Sequence, residues 1–217
     1  MIRQRKKQKL RVGVVDYGMG NLHSVAKAFE VQGASVSISD QRAVLSGSDL
    51  LVVPGVGSFG AAMTTLAKKK LDDFLCQWVE QGRSYVGICL GFQLLFQRSE
   101  ESPGVKGLGV LEGDVVRFQF PPKKAFQIPH MGWNQVECVQ KEGQHIFNGI
   151  RDKEFFYFLH TFYPVPKNRK VVLSQTDYGS SFCSSISWGP IFASQFHPEK
   201  SGRAGLKLIR NLLDHVA

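Results

Sequence analysis

The stretch Gly87-Ile88-Cys89-Leu90-Gly91 constrains this 217-residue chain more than any other. It follows a short apolar run, residues 85–88, and leads into Phe92, Leu94, Leu95 and Phe96, so a cysteine stands where a strand turns abruptly into a helix. Glycine two residues away on either side is what such a turn demands, because a Cβ there clashes where strand and helix approach. The turn strains the central residue and exposes its side chain at the carboxyl edge of a sheet, beside a helix N-terminus whose dipole favours a thiolate. A buried structural cysteine is the competing reading, and the glycine frame weighs against it.

An elbow of this kind implies a parallel sheet, and the preceding sequence supplies the strands. Residues 11–16, Ser35–Ser39, 49–53 and 85–88 are short β-branched or apolar runs. Between them the spacing predicts helices: one capped by Asn21, carrying Leu22, Val25, Ala26, Phe29 and Val31 and ended by Gly33; one with Met63 and Leu66; and one over Leu71–Glu80. From Asp114 onward VVRF, QVEC, FFYFL, VVLS, FCSSIS and IFASQF follow with few helical stretches between them, which suggests added antiparallel strands. A closing helix over residues 204–216 presents Leu206, Ile209, Leu213 and Val216. The reading is α/β: a mostly parallel central sheet flanked by helices, with additional antiparallel strands, in one domain over residues 11–217.

Charge and cysteine usage narrow the functional classes. Arg3, Arg5, Lys6, Lys7, Lys9 and Arg11 supply six of the nine excess positive charges, so residues 1–10 read as a basic, solvated arm and a nucleic-acid clamp is disfavoured. No apolar run approaches the ~20 residues that span a bilayer, and the arm lacks the h-region of a secretory signal. Cys76, Cys89, Cys138 and Cys183 are widely spaced, with no Cys-x-x-Cys pair, so neither a zinc site nor a disulfide framework is expected, and the cytoplasm is the expected compartment. No cofactor is implied.

A thiolate that attacks an amide needs a histidine to handle the leaving amine's proton and a group to orient that histidine. Among six histidines, His197 ends the run 191–196 and is followed by Pro198-Glu199, whose carboxylate can turn back to the imidazole. His130 reads as a packed, hydrogen-bonded histidine, and His160 as a residue that could line the site without titrating. Pro54-Gly55-Val56-Gly57 closes another strand and can offer N–H groups to an oxyanion; it could equally cradle a phosphate, though it lacks a P-loop's Lys-Ser/Thr ending.

Together PGVGSFG, GICLGFQLLF, PHMGWN and QFHPEKS resemble the class I glutamine amidotransferases, and DYGMGNLHS with HMGWN resembles the glutaminase subunit of imidazole glycerol phosphate synthase. The resemblance implies that Cys89 is the nucleophile, His197 its base and acid, and Glu199 the orienting carboxylate. It implies an oxyanion hole from Leu90 and a rearrangement near Val56 and Gly57, and L-glutamine held by Gln93, Gly55, Glu101 and Thr161. It also implies a cyclase or synthase subunit as heterodimeric partner, for which Lys200 and the turn with Tyr17, Met19 and Asn21 are candidate contacts.

The chain departs from the family pattern in Phe92, where methionine is usual, and in Phe162, where tyrosine is usual. An ammonia donor to another acceptor, such as a surface sugar, would carry the same motifs. A glutaminase serving vitamin B6 synthesis is argued against by HMGWN. A nucleic-acid binder acting through the basic arm is the non-enzymatic alternative.

Overall fold

The computed structural model describes residues 9–120, 126–140 and 144–216; most of the basic arm, residues 1–8, therefore lies outside the described residues. Order along the chain begins β1 (Arg11–Val15), α1 (Leu22–Val31), β2 (Ser35–Ser39), α2 (Arg42–Ser46), β3 (Leu50–Gly55), α3 (Phe59–Lys68), α4 (Leu71–Glu80) and β4 (Ser84–Cys89). It continues with α5 (Leu90–Gln93), β5 (Phe96–Ser99), β6 (Leu111–Arg117), β7 (His130–Cys138), β8 (Glu154–His160) and β9 (Phe162–Pro166). The last elements are β10 (Val172–Asp177), β11 (Ser181–Trp188), β12 (Ile191–Ser194) and α6 (Gly202–Val216).

Nine strands form one sheet in the order β2-β1-β3-β4-β12-β11-β10-β7-β8. The pairs from β2 through β12 are parallel, and β12 to β11 begins an antiparallel half. A second sheet joins β5, β6 and β9. The expected α/β architecture with added antiparallel strands is what the chain adopts.

Strand alternation divides the core. In β3, Leu51 and Val53 face a cluster holding Met63 and Leu66 of α3 with Leu75 and Trp78 of α4. Their neighbours Leu50 and Val52 face a second cluster with Phe29 of α1 and Ile209 and Leu213 of α6. Burying alternate residues on opposite sides requires helices on both faces of the parallel half. Local signals place those helices: Asn21 Oδ1 accepts the Ser24 N–H at 3.3 Å, and Ser58 Oγ accepts that of Ala61 at 3.4 Å. Val31, assigned to the apolar face of α1, is instead 58% exposed.

One expected element is different. The helix anticipated through Phe96 is a single turn, and Phe96 opens β5. The carbonyls of Leu94, Leu95 and Gln97 accept N–H groups of Leu108, Leu111 and Gly107, so the next loop takes acceptors that a longer helix would have used. One turn carries little macrodipole, which removes most of the thiolate stabilisation expected from it. The short elements α2, β5 and β9 were not anticipated from the sequence.

The sheet order positions the site. Because β4 lies between β3 and β12, the carboxyl ends of three strands converge: Gly55 pairs with Cys89 and Ser194 with Ile88. At the far edge of the sheet, β8 returns to the same place. Its Tyr157 carbonyl accepts the His197 N–H at 2.9 Å, which requires the antiparallel half to curl back over the parallel strand ends.

Candidate active site

At the end of β4 the backbone of Cys89 takes φ 55° and ψ −106°, a conformation costing of order 1–3 kcal/mol for a residue with a side chain. The neighbouring glycines permit it. A Cβ on Gly91 would fall on the Val53 carbonyl, and one on Gly87 would lie 2.7 Å from the Gly91 carbonyl oxygen. The sulfur is held on two sides, approaching the Leu159 carbonyl at 3.7 Å and receiving an N–H from Gln195 Nε2 at 3.5 Å.

His197 follows β12 at the head of the short turn Pro198–Lys200. Proline fixes that bend, and Glu199 Oε1 reaches His197 Nδ1 at 2.9 Å with both side chains almost wholly buried. Ser201 locks the turn: its Oγ donates to the His197 carbonyl at 2.6 Å and accepts the Tyr157 N–H at 3.0 Å. Burial pulls the imidazole's pKa down, but the neighbouring Cys89 sulfur and the Glu199 carboxylate outweigh it and hold it raised to about 10. His197 Nε2 makes no full hydrogen bond among the described residues, yet Cys89 is the strongest of the groups that raise its pKa. The free nitrogen has the geometry to exchange a proton with a group brought up to the sulfur.

A cavity of about 260 Å³ opens over Cys89, lined by Val56, Gly57, Leu90, Gln93, Glu101, Leu159, His160, Thr161 and Phe162. That is below the ~300–1,000 Å³ of drug-sized ligand sites and suits a single small metabolite. Glu101 Oε2 accepts the Phe59 N–H at 2.7 Å, tying the cavity wall to the start of α3. Gln93 Nε2 donates to the Phe162 carbonyl at 2.9 Å. The backbone of Phe162 is what this contact uses, so phenylalanine serves it as well as tyrosine.

Not every expected residue lines the cavity. Gly55 stands opposite Cys89, with the Tyr17 hydroxyl and Leu90 packed against its α-carbon, and so lies behind the wall. Tyr17, expected on a partner-facing turn, is fully buried; its hydroxyl donates to the Pro54 carbonyl at 2.7 Å, satisfying the one polar group that would have kept it at the surface. Met19 is half-buried near Gly57, and Asn21 is exposed. Lys200 Nζ sits 5.7 Å from the Tyr157 ring centre.

Two further histidines are linked nearby: His160 lines the cavity and His130 is hydrogen-bonded to it. His160 Nδ1 lies 2.9 Å from the Phe162 carbonyl, His130 Nδ1 lies 3.0 Å from His160 Nε2, and Asn134 Nδ2 lies 3.2 Å from His130 Nε2. A carbonyl only accepts, so His160 carries its proton on Nδ1. His160 Nε2 must then accept from His130, and His130 from Asn134, leaving both rings neutral. Burial pushes their pKa values down, His130 to about 4 and His160 to about 3. His130 is packed and hydrogen-bonded as expected, and His160 lines the cavity.

Gln195 was missed by sequence reasoning. The available signal was a polar residue closing the apolar run just before His197. Elsewhere Cys138 and His145 share a larger hollow of about 680 Å³. There the thiol donates to the Gln140 carbonyl at 3.4 Å and burial raises its pKa, the opposite of an activated nucleophile. Among the described residues no cluster of three or more His, Cys, Asp or Glu suits a metal.

The chain is similar to known proteins over most of its length. The family model described as glutamine amidotransferase class-I matches residues 13–216. The chain is 46% identical over 203 residues to the imidazole glycerol phosphate synthase subunit HisH of Aquifex aeolicus, covering 93% of this chain and 95% of that one. It is 43% identical over 204 residues to the subunit of the same name from Syntrophotalea carbinolica, covering 93% and 98%. Among solved structures, PurLQS from Thermotoga maritima superposes with a TM-score of 0.73 at 22% identity, covering 97% of this chain and 100% of that one, a likeness of fold.

Proposed function

The chain belongs to the class I glutamine amidotransferase family and groups within it with the HisH subunits of imidazole glycerol phosphate synthase, and from that premise we propose how its residues act. The activity is glutaminase: L-glutamine and water give glutamate and ammonia, and the ammonia serves imidazole glycerol phosphate formation in histidine biosynthesis. The observation that carries the reading is the glycine-framed Cys89, which lines one small cavity and has a buried His197–Glu199 pair beside it.

Cys89 Sγ attacks the side-chain amide carbon of glutamine and the carbonyl electrons move to oxygen. Leu90 N–H and the Val56-Gly57 turn face that oxyanion; Gly57, at φ 107°, stands in backbone space that tolerates reorientation of the turn. Imidazolium at His197 gives its Nε2 proton to the leaving nitrogen, ammonia departs, and a thioester remains. Water then adds to the thioester, losing its proton to His197, and the C–S bond breaks to release glutamate. Glu199 holds the imidazole by Nδ1 through both halves. Gln93, Glu101 and Thr161 hold the amino-acid end of the substrate, with Gly55 supporting them from behind.

A cyclase subunit is the partner that takes the ammonia. The outer face of β7 and β8 supports this, since Met131, Trp133 and Phe155 are 67%, 55% and 43% exposed. Trp133 pairs with Tyr157 and Met131 with Leu159, and Leu159 reaches the cavity, so a protein covering this apolar face would also cover the mouth. Lys200, over Tyr157, belongs to the same face. Four free cysteines fit the reducing cytoplasm as its compartment.

The test pairs the chain with its cyclase. Cys89→Ala is expected to abolish glutamine-dependent synthesis and leave synthesis from added ammonium intact; loss of both would refute the division of labour.

A further inference from the structure

We propose that Gln195 is a positioning residue that ties the nucleophile to the substrate end of the cavity, giving an N–H to Cys89 while holding Gln93 through its side-chain carbonyl. Gln195 is fully buried, and its own backbone N–H is fixed to the Ser184 carbonyl at 2.8 Å. Its carboxamide bridges two groups: Gln93 Nε2 donates to Gln195 Oε1 at 3.1 Å, and Gln195 Nε2 donates to Cys89 Sγ at 3.5 Å.

The direction of this bridge follows from one acceptor. Gln93 must present its NH₂ to the Phe162 carbonyl, which has no proton to give. The second proton of that NH₂ then meets Gln195, which must turn its oxygen toward Gln93 and its NH₂ toward sulfur. Rotating the Gln93 amide would set acceptor against acceptor at the Phe162 carbonyl, and rotating the Gln195 amide would set donor against donor at Gln93. The Phe162 carbonyl thus dictates, through two amides, that Cys89 receives a donor.

A donor aimed at sulfur favours its anion over the neutral thiol. The same amide senses Gln93, so a substrate that engages Gln93 changes the hydrogen bond available to the attacking atom. The proposal rests on the reading of Cys89 as nucleophile and of Gln93 as a substrate-holding residue.

The test is the pH profile of Cys89 alkylation by iodoacetamide in the full-length chain, followed by peptide mass spectrometry so that other cysteines do not contribute. Gln195→Met keeps the volume and removes both contacts; its alkylation midpoint is expected to rise by about one unit, lowering the rate near neutrality about ten-fold. Gln195→Asn retains a buried amide too short to bridge, and guards against misfolding of the first variant; it should shift the same way. Gln93→Met should shift the midpoint less, and adding it to Gln195→Met should give a combined effect smaller than the sum. Unchanged profiles in both folded Gln195 variants, or additive effects with Gln93→Met, would overturn the proposal. Retention of glutamine hydrolysis by Cys89→Ala would instead defeat the assignment of the nucleophile, and alkylation would still report on the Gln195 contact.

Discussion

His160 lines the cavity over Cys89 and His197 stands beside that cysteine; the two are buried to nearly the same degree, yet their pKa values are displaced in opposite directions, to about 3 and about 10. Desolvation acts on both in the same sense, so the difference comes from their neighbours. His197 has a carboxylate on one side and a sulfur on the other, both of which reward a proton. His160 has a backbone carbonyl and a second neutral imidazole, so an added proton on Nε2 would face another N–H. Proximity to the nucleophile therefore does not make a base; the partner on the far side of the ring does.

The strongest way to break this contrast is to remove the carboxylate. In Glu199→Gln the imidazole loses its charge partner, and kcat for glutamine hydrolysis should fall by about 10³-fold or more, measured with the cyclase present. A loss of less than ten-fold would mean that Glu199 does not orient the base. The neutral pair predicts a different signature, in stability. Its folded pKa values lie below that of a free histidine near 6.5, so the stabilisation is present above the unfolded value and is lost as pH falls toward about 4. Between pH 7 and 5 each ring should cost the fold about 2 kcal/mol, readable by urea unfolding. Replacing both, as His130→Gln with His160→Gln, should flatten that slope. A wild-type slope no steeper than the variant's would show that the pair is not held neutral.

His197 runs the other way. Its folded pKa is raised, so its contribution to stability is full below about 6.5 and disappears as pH rises through about 10. His160→Gln should lower glutamine turnover by about ten-fold at most, because it disturbs the Phe162 carbonyl without touching the proton path. An effect as large as that of Glu199→Gln would erase the distinction between the two histidines. Smallest is Tyr17→Phe, which removes one buried hydrogen bond beneath the Pro54 turn and should destabilise by about 1 kcal/mol in thermal unfolding.

The same contrast explains what could be read from residues alone. Cys89 with its glycines and His197 with Pro198 and Glu199 are local patterns, each expressing its geometry within a few positions. The helices over Leu22–Val31, Phe59–Lys68 and Leu71–Glu80 were legible because their apolar residues recur at helical spacing. The His130–His160 chain was not, since it depends on the register of β7 against β8. Tyr17 looked like a surface residue because a tyrosine beside a glycine turn carries no sign that a carbonyl on another strand will accept its hydroxyl. The helix after Cys89 is shorter than its apolar run suggests for a similar reason: the residues that claim its carbonyls lie beyond Leu95, in the loop leading to β6.

The returning edge of the sheet has a kinetic consequence. Gln195 and Cys89, which touch, are separated by 106 positions along the chain, and Tyr157 reaches His197 only after the antiparallel half has curled over the strand ends. Contacts of such long sequence separation, the β4–β12 pairing among them, close late, after the local helices have formed. A half-folded molecule would hold the cysteine without its base and could not consume glutamine. Recovery of turnover during refolding should therefore lag behind recovery of helical signal, making the enzyme's own reaction a clock for its final step of assembly.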